Sequence, residues 1–295
     1  MKRKLKRSYG EIVFDSFNYI LLTIITLVCL YPMLYVLFAS VSEGMALTRH
    51  TGPLWWPLGF SLDAFRHVFR NPNIISGYRN TMFLMIVGVS WNVLITSLGA
   101  YVLAQKDVMW KNVVVFLVVF TMFFGGGMVP FFLTIRNLGM QDSLWGLIFP
   151  FSITTFNMII LRTGFQQLPE SLGESAMIDG AGHFRILFRI VYPLSKAILA
   201  VMVLFYGVST WNAWFWASIL LRDRSLLPLQ VILREILLIG TGALLGAGGA
   251  AGEEEALGRT IRYATIVVAT LPILTIYPLL QKHFVKGVMI GALKG

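Results

Sequence analysis

The chain has 295 residues, 57% of them hydrophobic and only 13% charged, with a formal net charge of +10. Soluble domains carry about 25% charged residues, so the composition excludes an ordinary soluble globule and points to a bilayer protein. In so apolar a chain the positive excess reads as the basic bias of cytoplasmic segments rather than as a nucleic-acid surface, and the single cysteine, Cys29, excludes an intramolecular disulfide.

The first seven residues, MKRKLKR, look like the basic flank of a signal peptide. The apolar run behind them is too long and lacks a small-residue cleavage pattern, so the first span is expected to be an uncleaved helix. A helix needs roughly 20 apolar residues to cross a bilayer. Stretches of that order without Asp, Glu, Lys or Arg occur at 16–42, 80–105, 112–135, 143–161, 197–221 and 263–281, which predicts six transmembrane helices. Pro130, Pro272 and Pro278 predict kinks within them. A further charge-free run, 236–252, contains six glycines and is expected to be a partly flexible loop outside the bilayer core.

The basic residues set the sidedness. With the N-terminus inside, six spans place the N-terminal tail, 106–111, 162–196 and the C-terminal tail in the cytoplasm. These segments hold 14 of the 24 basic residues, including all nine lysines, while the other side holds ten arginines. The resulting net charges are +8 inside and +2 outside, in keeping with the positive-inside rule.

One polar island lies on the predicted inner side, Glu170 to Pro193, ESLGESAMIDGAGHFRILFRIVYP. Ser171 with Glu174 three residues on is a capping-box pattern, which predicts a helix start there. Gly180 and Gly182 are expected to end that helix. A second short helix fits His183 to Val191, with Phe184, Leu187, Phe188 and Val191 on one face and Arg185 and Arg189 off it. Pro193 is expected to close the segment. Two short helices joined by a glycine turn between spans have the form of a docking knob.

Glu174-Ser-Ala, then Gly180, Ile190 and Pro193 resemble the EAA loop of ABC importer permeases, with Ser175 in place of the usual second Ala and Tyr192 in place of the usual Leu. Tyr78-Arg-Asn-Thr81, Leu138-Gly-Met-Gln-Asp142, Trp211-Asn212, Gln281–Gly287 and Gly291–Gly295 resemble the carbohydrate branch, the relatives of the maltose permease, over nearly the whole chain. The tail from Val285 is similar to permeases of importers for alginate- and pectin-derived oligosaccharides. The resemblance implies an all-α membrane protein of the type I importer class, a single permease domain whose EAA segment is a cytoplasmic coupling helix. Glu174, Ser175, Ala176, Asp179, Gly180, Ala181, Phe184 and Leu187 are then the residues that couple to an ATPase. It also implies a second homologous permease, two ATP-binding subunits that hold ATP and Mg, an extracytoplasmic solute-binding protein, and a bacterial cytoplasmic membrane with both termini inside.

The rest of the sequence narrows the chemistry. No phosphate loop of the Gly-x-x-x-x-Gly-Lys-Ser/Thr type occurs, and Gly246–Gly252 lacks the strand and acidic residue of a dinucleotide site. His50, His67, His183 and His283 are scattered without metal-ligand spacing. No predicted span carries the buried charge that ion-coupled carriers use. The chain is therefore expected to bind no cofactor or metal of its own and to have no catalytic residue. A sugar path needs hydrogen-bonding groups and flat aromatic faces. Asn80, Asn92 and Asn157, with Trp211, Asn212, Trp214 and Trp216, are the candidates, taking Trp211/Phe215 and Asn212/Trp216 as adjacent faces of one helix. The function expected is import of a sugar or oligosaccharide, with acidic chains guided by the outer arginines as one reading. A non-sugar cargo or a stand-alone secondary carrier remain the alternatives.

Overall fold

The computed structural model describes residues 8–246 and 256–275, and these are overwhelmingly helical. Among them the β contact is a single isolated bridge, Ser42 with Phe60. The chain divides into two compact units, Met1–Arg70 with Ile236–Thr270, and Asn71–Glu235 with Leu271–Gly295.

The first unit is led by α1 (Tyr9–Ser40), a 32-residue helix started by Ser8, whose backbone N–H donates to Glu11 Oε2 at 3.0 Å. It is apolar on every face and buries only Ala39 and Ser40. A helix apolar all round and uncovered by protein suits lipid. Its C-terminal end packs Ala39 with Leu47 of α2 (Gly44–Arg49) and with Leu54, and Tyr35 and Tyr263 join that cluster. The backbone N–H of Leu54 donates to the Tyr31 hydroxyl at 3.0 Å. Gly44 lets two backbones meet, because a Cβ there would lie 2.9 Å from the carbonyl of Ala256, the first residue of the helix Ala256–Thr275. A short helix, α3 (Asp63–Arg70), ends the first segment of this unit.

The second unit contains α4 (Pro72–Phe83) and α5 (Val89–Ala104), joined through a π-turn at Leu84–Gly88 into one long helix. It goes on with α6 (Lys111–Phe123), α7 (Met128–Asn137), α8 (Thr155–Gln166), α9 (Glu170–Ile178), α10 (His183–Ile186) and α11 (Tyr192–Leu194). Next come α12 (Lys196–Trp211), α13 (Phe215–Leu220) and the start of α14 (Leu229–Gly246). Its centre is the packing of α5, α8 and α12 on one another. Small residues allow that approach: a Cβ on Gly99 would lie 3.0 Å from Met158 Sδ, and one on Gly164 would run into the Ile198 side chain. Arg162 Nε donates to the Leu103 carbonyl at 3.0 Å, fastening α8 to the end of α5.

Among the described residues, three helices are long and apolar enough to cross a membrane, and up to six spans result if each bent helix pair counts as one. Several expected spans are not single helices. The stretch 112–135 breaks between α6 and α7 with a bend of 114°, at Gly125–Gly127 rather than at Pro130, since Gly127 takes φ +82°, a conformation that favours glycine. The stretch 143–161 begins as two 3₁₀ turns, Leu144–Leu147 and Phe149–Phe151, before α8 starts. The stretch 197–221 splits at Asn212–Trp214, so Trp211 and Phe215 do not share a helical face. The run from 236 to 246 is helix rather than loop: α14 starts on the buried residues Leu229, Val231, Ile232 and Leu233 and propagates through Gly240 and Gly242. The remainder of that run, Pro278 and the tail motifs from Gln281 lie outside the described residues.

Candidate functional site

The polar island forms two helical pieces at one end of the α5–α8–α12 core. The first, α9, starts at Glu170 with Pro169 as its N-cap, one residue ahead of Ser171, so Ser171 is not the cap. Proline suits this place because the first N–H groups of a helix have no partner within it. The helix ends in a Schellman turn: Gly180 N–H donates to the Met177 carbonyl at 3.0 Å, and Ala181 N–H donates to the Ala176 carbonyl at 2.8 Å. Gly180 has φ +79°, which the turn requires and which other residues resist. Ala176 and Ala181 pack against the core beneath, giving the turn its apolar contact. Asp179 caps the helix through its backbone N–H to the Ser175 carbonyl.

The second piece runs from His183 to Leu194 and widens into a π-turn over Leu187–Val191. Pro193 therefore does not stop the helix. Proline lacks an N–H and clashes with the carbonyl four residues back, and the wider turn just before it accommodates both. The helix bends by 89° into α12 only afterwards. Ile186, Leu187 and Val191 are buried with Ala100, Tyr101, Leu161, Phe165 and Met202. Leu187, expected to face a partner, is thus spent on the chain's own core and is 1% exposed. Phe184 is 70% exposed and Ile178 86%. The knob is anchored on one side and offers an apolar surface on the other.

Lys106, in the loop after α5, pairs with Glu170 Oε1 at 2.7 Å, and the hydrogen bond it donates to that carboxylate raises the lysine's pKa. Both groups are exposed, so the pair orients more than it stabilises. Beside it lies a cleft of about 590 Å³ lined by Tyr101, Lys106, Lys111, Glu170, Glu174 and Ile190, among others. Glu174 is therefore exposed at the edge of a cleft, not tied into the core.

A second cavity of about 570 Å³ lies in the same unit, where α5, α12 and α13 meet the 3₁₀ turn before α8. Asn92, Thr154, Tyr206, Thr210, Asn212, Trp214 and Trp216 line it. Of the seven residues expected along a sugar path, four (Asn92, Asn212, Trp214 and Trp216) are gathered here. Asn92 is buried and its Oδ1 has no hydrogen-bond partner among the described residues. The other three lie elsewhere. Asn80 is buried, with Nδ2 donating to the carbonyls of Ser225 at 2.7 Å and Leu227 at 3.2 Å, which ties α4 to the turn before α14. Asn157 is buried on α8, and Trp211 is buried with no partner for its indole N–H among the described residues.

Sequence reasoning missed three features of this region. Tyr206 holds the cavity wall, its hydroxyl 2.6 Å from Thr96 Oγ1 and accepting the Thr154 N–H at 3.0 Å. Asp142, at the end of the Leu138–Asp142 motif, has φ +58°, and its Oδ1 accepts the N–H groups of Arg222 and Asp223 at 2.8 and 2.9 Å. Those bonds, from Asp223 first and Arg222 second, hold its carboxyl below the ordinary value. The guanidinium of Arg234 lies over the Trp214 ring, 3.4 Å from its centre. The Asp142 motif was visible in the sequence as a string, but its structural meaning depends on a loop 80 residues away.

The sequence is 40% identical over 291 residues to the polygalacturonan/rhamnogalacturonan transport system permease protein YtcP of Bacillus subtilis, covering 96% of this chain and 99% of the relative. The chain belongs to the permease subunits of ABC sugar importers. The permease is also 38% identical to the protein LplC of Bacillus subtilis, over 96% of this chain and 95% of that one. It superposes with a TM-score of 0.84 on a chain of the crystal structure of a bacterial ABC transporter involved in the import of the acidic polysaccharide alginate. That match has 33% identity and covers 95% of this chain and 100% of the other. No family model matches the sequence. The permease is accordingly a membrane transport subunit and not an enzyme, in a family where ATP hydrolysis belongs to a separate subunit. Membership also sets aside a stand-alone secondary carrier.

Proposed function

We propose that the permease forms one half of the membrane path of an importer for acidic oligosaccharides in a bacterial cytoplasmic membrane. The observation that carries the cargo is the pairing of its relatives: one is named for polygalacturonan, a polymer of a sugar acid, and another belongs to a transporter of alginate, an acidic polysaccharide. Six spans near 16–42, 80–105, 112–135, 143–161, 197–221 and 263–281 put both termini and the 170–193 segment in the cytoplasm, supported by the placement of all nine lysines.

A second, homologous permease completes the path, and an extracytoplasmic solute-binding protein delivers the sugar. Two ATP-binding subunits, holding ATP and Mg, dock on the 170–193 knob. Glu174, Ser175 and Asp179 supply its polar contacts and Ile178 and Phe184 its apolar ones, while Ala176, Gly180, Ala181 and Leu187 shape and anchor it. The exposure of Ile178 and Phe184 beside buried Leu187 supports this division. Asn92, Asn212, Trp214 and Trp216 contact the sugar, through amides for hydroxyl groups and indoles for ring faces; Asn80, Asn157 and Trp211 hold the helices that carry them.

The test is uptake by the complete complex in proteoliposomes, with its binding protein outside and ATP inside. Trigalacturonate should accumulate only with ATP and binding protein, and faster than its carboxyl-reduced neutral counterpart. Uptake without ATP, or equal uptake of the neutral trisaccharide, would refute the reading.

A further inference from the structure

The carboxylates around the loop after α13 are all occupied. Asp142 Oδ1 takes the backbone N–H groups of Arg222 and Asp223, Asp223 Oδ1 takes the N–H of Ser225 at 2.8 Å, and Glu235 Oε2 pairs with Arg224 at 2.6 Å. Arg234 is not ion-paired in the way that Arg224 is. It is exposed and has no acidic partner among the described residues; its guanidinium rests instead on the indole of Trp214. That indole lines the cavity, and Arg234 does not. The guanidinium therefore lies against a cavity wall rather than within the cavity.

A stacked guanidinium uses its flat face on the ring and keeps its in-plane N–H groups for other acceptors. Those groups are directed in a fork that matches a carboxylate in a two-point contact. Stacking also holds the side chain in one place, which lowers the entropy lost when an anion binds. The cavity supplies the complementary half: the buried Asn92 Oδ1 has no donor among the described residues, so a hydroxyl-bearing guest would satisfy it.

We propose that the Arg234–Trp214 pair is the carboxylate-selecting element beside this cavity, receiving a uronate group of the oligosaccharide while its hydroxyl groups enter toward Asn92. This assignment rests on the acidic-cargo reading given above and adds the residue that enforces it. A lysine would keep the charge but lose the planar stack and the two-point contact. Glutamine would lose the charge and keep much of the length.

The test compares wild type, R234K and R234Q complexes in ATP-loaded proteoliposomes, with trigalacturonate and its carboxyl-reduced counterpart as separate cargoes. R234Q should lower trigalacturonate uptake about tenfold or more while leaving neutral uptake within about twofold. R234K should fall between it and wild type. Loss of both cargoes in parallel would make Arg234 a structural residue and overturn the proposal. Wild-type preference retained in R234Q would overturn it too, leaving the acidic cargo standing. A wild type with no preference would overturn the cargo reading and the proposal together.

Discussion

Tyr206 and Thr96 share a 2.6 Å hydrogen bond between hydroxyls, buried where α12 crosses α5, and the same tyrosine oxygen accepts the N–H of Thr154 at 3.0 Å. Thr154 is the residue before α8, so one phenol joins the three helices that form the core of the second unit. Tyr206→Phe keeps the ring and removes the acceptor, leaving the Thr154 N–H without its partner. An unpaired buried donor costs about 1–3 kcal/mol. The expected result is a lower melting temperature of the detergent-solubilised complex, with Thr96→Val milder because the Thr154 bond survives.

The 170–193 segment separates residues buried in the core from residues left exposed, and the proposed docking role makes different predictions for each. Leu187→Ala should destabilise the permease by about 2–5 kcal/mol, as other buried leucines do. Ile178→Asp and Phe184→Asp, at exposed positions, should leave melting unchanged but reduce sugar taken up per ATP hydrolysed. Gly180→Val forces a branched side chain into φ +79° and should act on coupling through the turn itself. Melting curves alongside a ratio of uptake to ATP hydrolysis distinguish these outcomes.

Gly77 predicts a third effect. A Cβ there would sit 2.6 Å from Ile232 Cδ1 and 3.1 Å from Leu229 Cα. The isoleucine end can move, but the Leu229 backbone is fixed by its N–H bond to Thr81 Oγ1 at 2.9 Å. Gly77→Ala should therefore cost about 1–3 kcal/mol by overpacking, and Gly77→Val more, read as reduced yield and melting temperature of the assembled complex. Gly173, with open space around it, serves as the control.

Much of this was legible in the sequence. Charge-free runs located the long apolar stretches, and the glycine at 180 marked the turn that ends α9, because a left-handed residue has few alternatives to glycine. The breaks were harder to read. Three consecutive glycines outweighed Pro130 as the site of the bend after α6, and Pro193 was absorbed by a π-turn that depends on how Leu187 and Val191 are buried. The amides looked alike in sequence: Asn80 differs from Asn92 only through carbonyls about 145 residues away. Periodicity also failed at 211–216, where the helix assumed to continue ends at Trp211.

Asp142 should give the loop after α13 a pH dependence. Its carboxyl is held below the ordinary value of 3.8, chiefly by the N–H of Asp223 and next by that of Arg222. A depressed carboxyl contributes its full stabilisation above the ordinary value, and that contribution fades as pH falls through the lowered one. Neutral pH should thus show no change, and acid below about 4 should loosen the loop. Asp142→Asn, which tolerates positive φ and keeps an acceptor, should melt above Asp142→Ala at pH 7 and should remove the acid-side slope.

The dependence on a separate ATPase is tested most directly by where the knob faces and what it touches. A photo-crosslinking residue at Ile178 or Phe184, in a Cys29→Ser background, can be activated in intact cells. The expected product joins the permease to the ATP-hydrolysing subunit, and neither position reacts with an impermeant reagent added outside. Labelling of either position from the external medium, with no ATPase adduct, would contradict it.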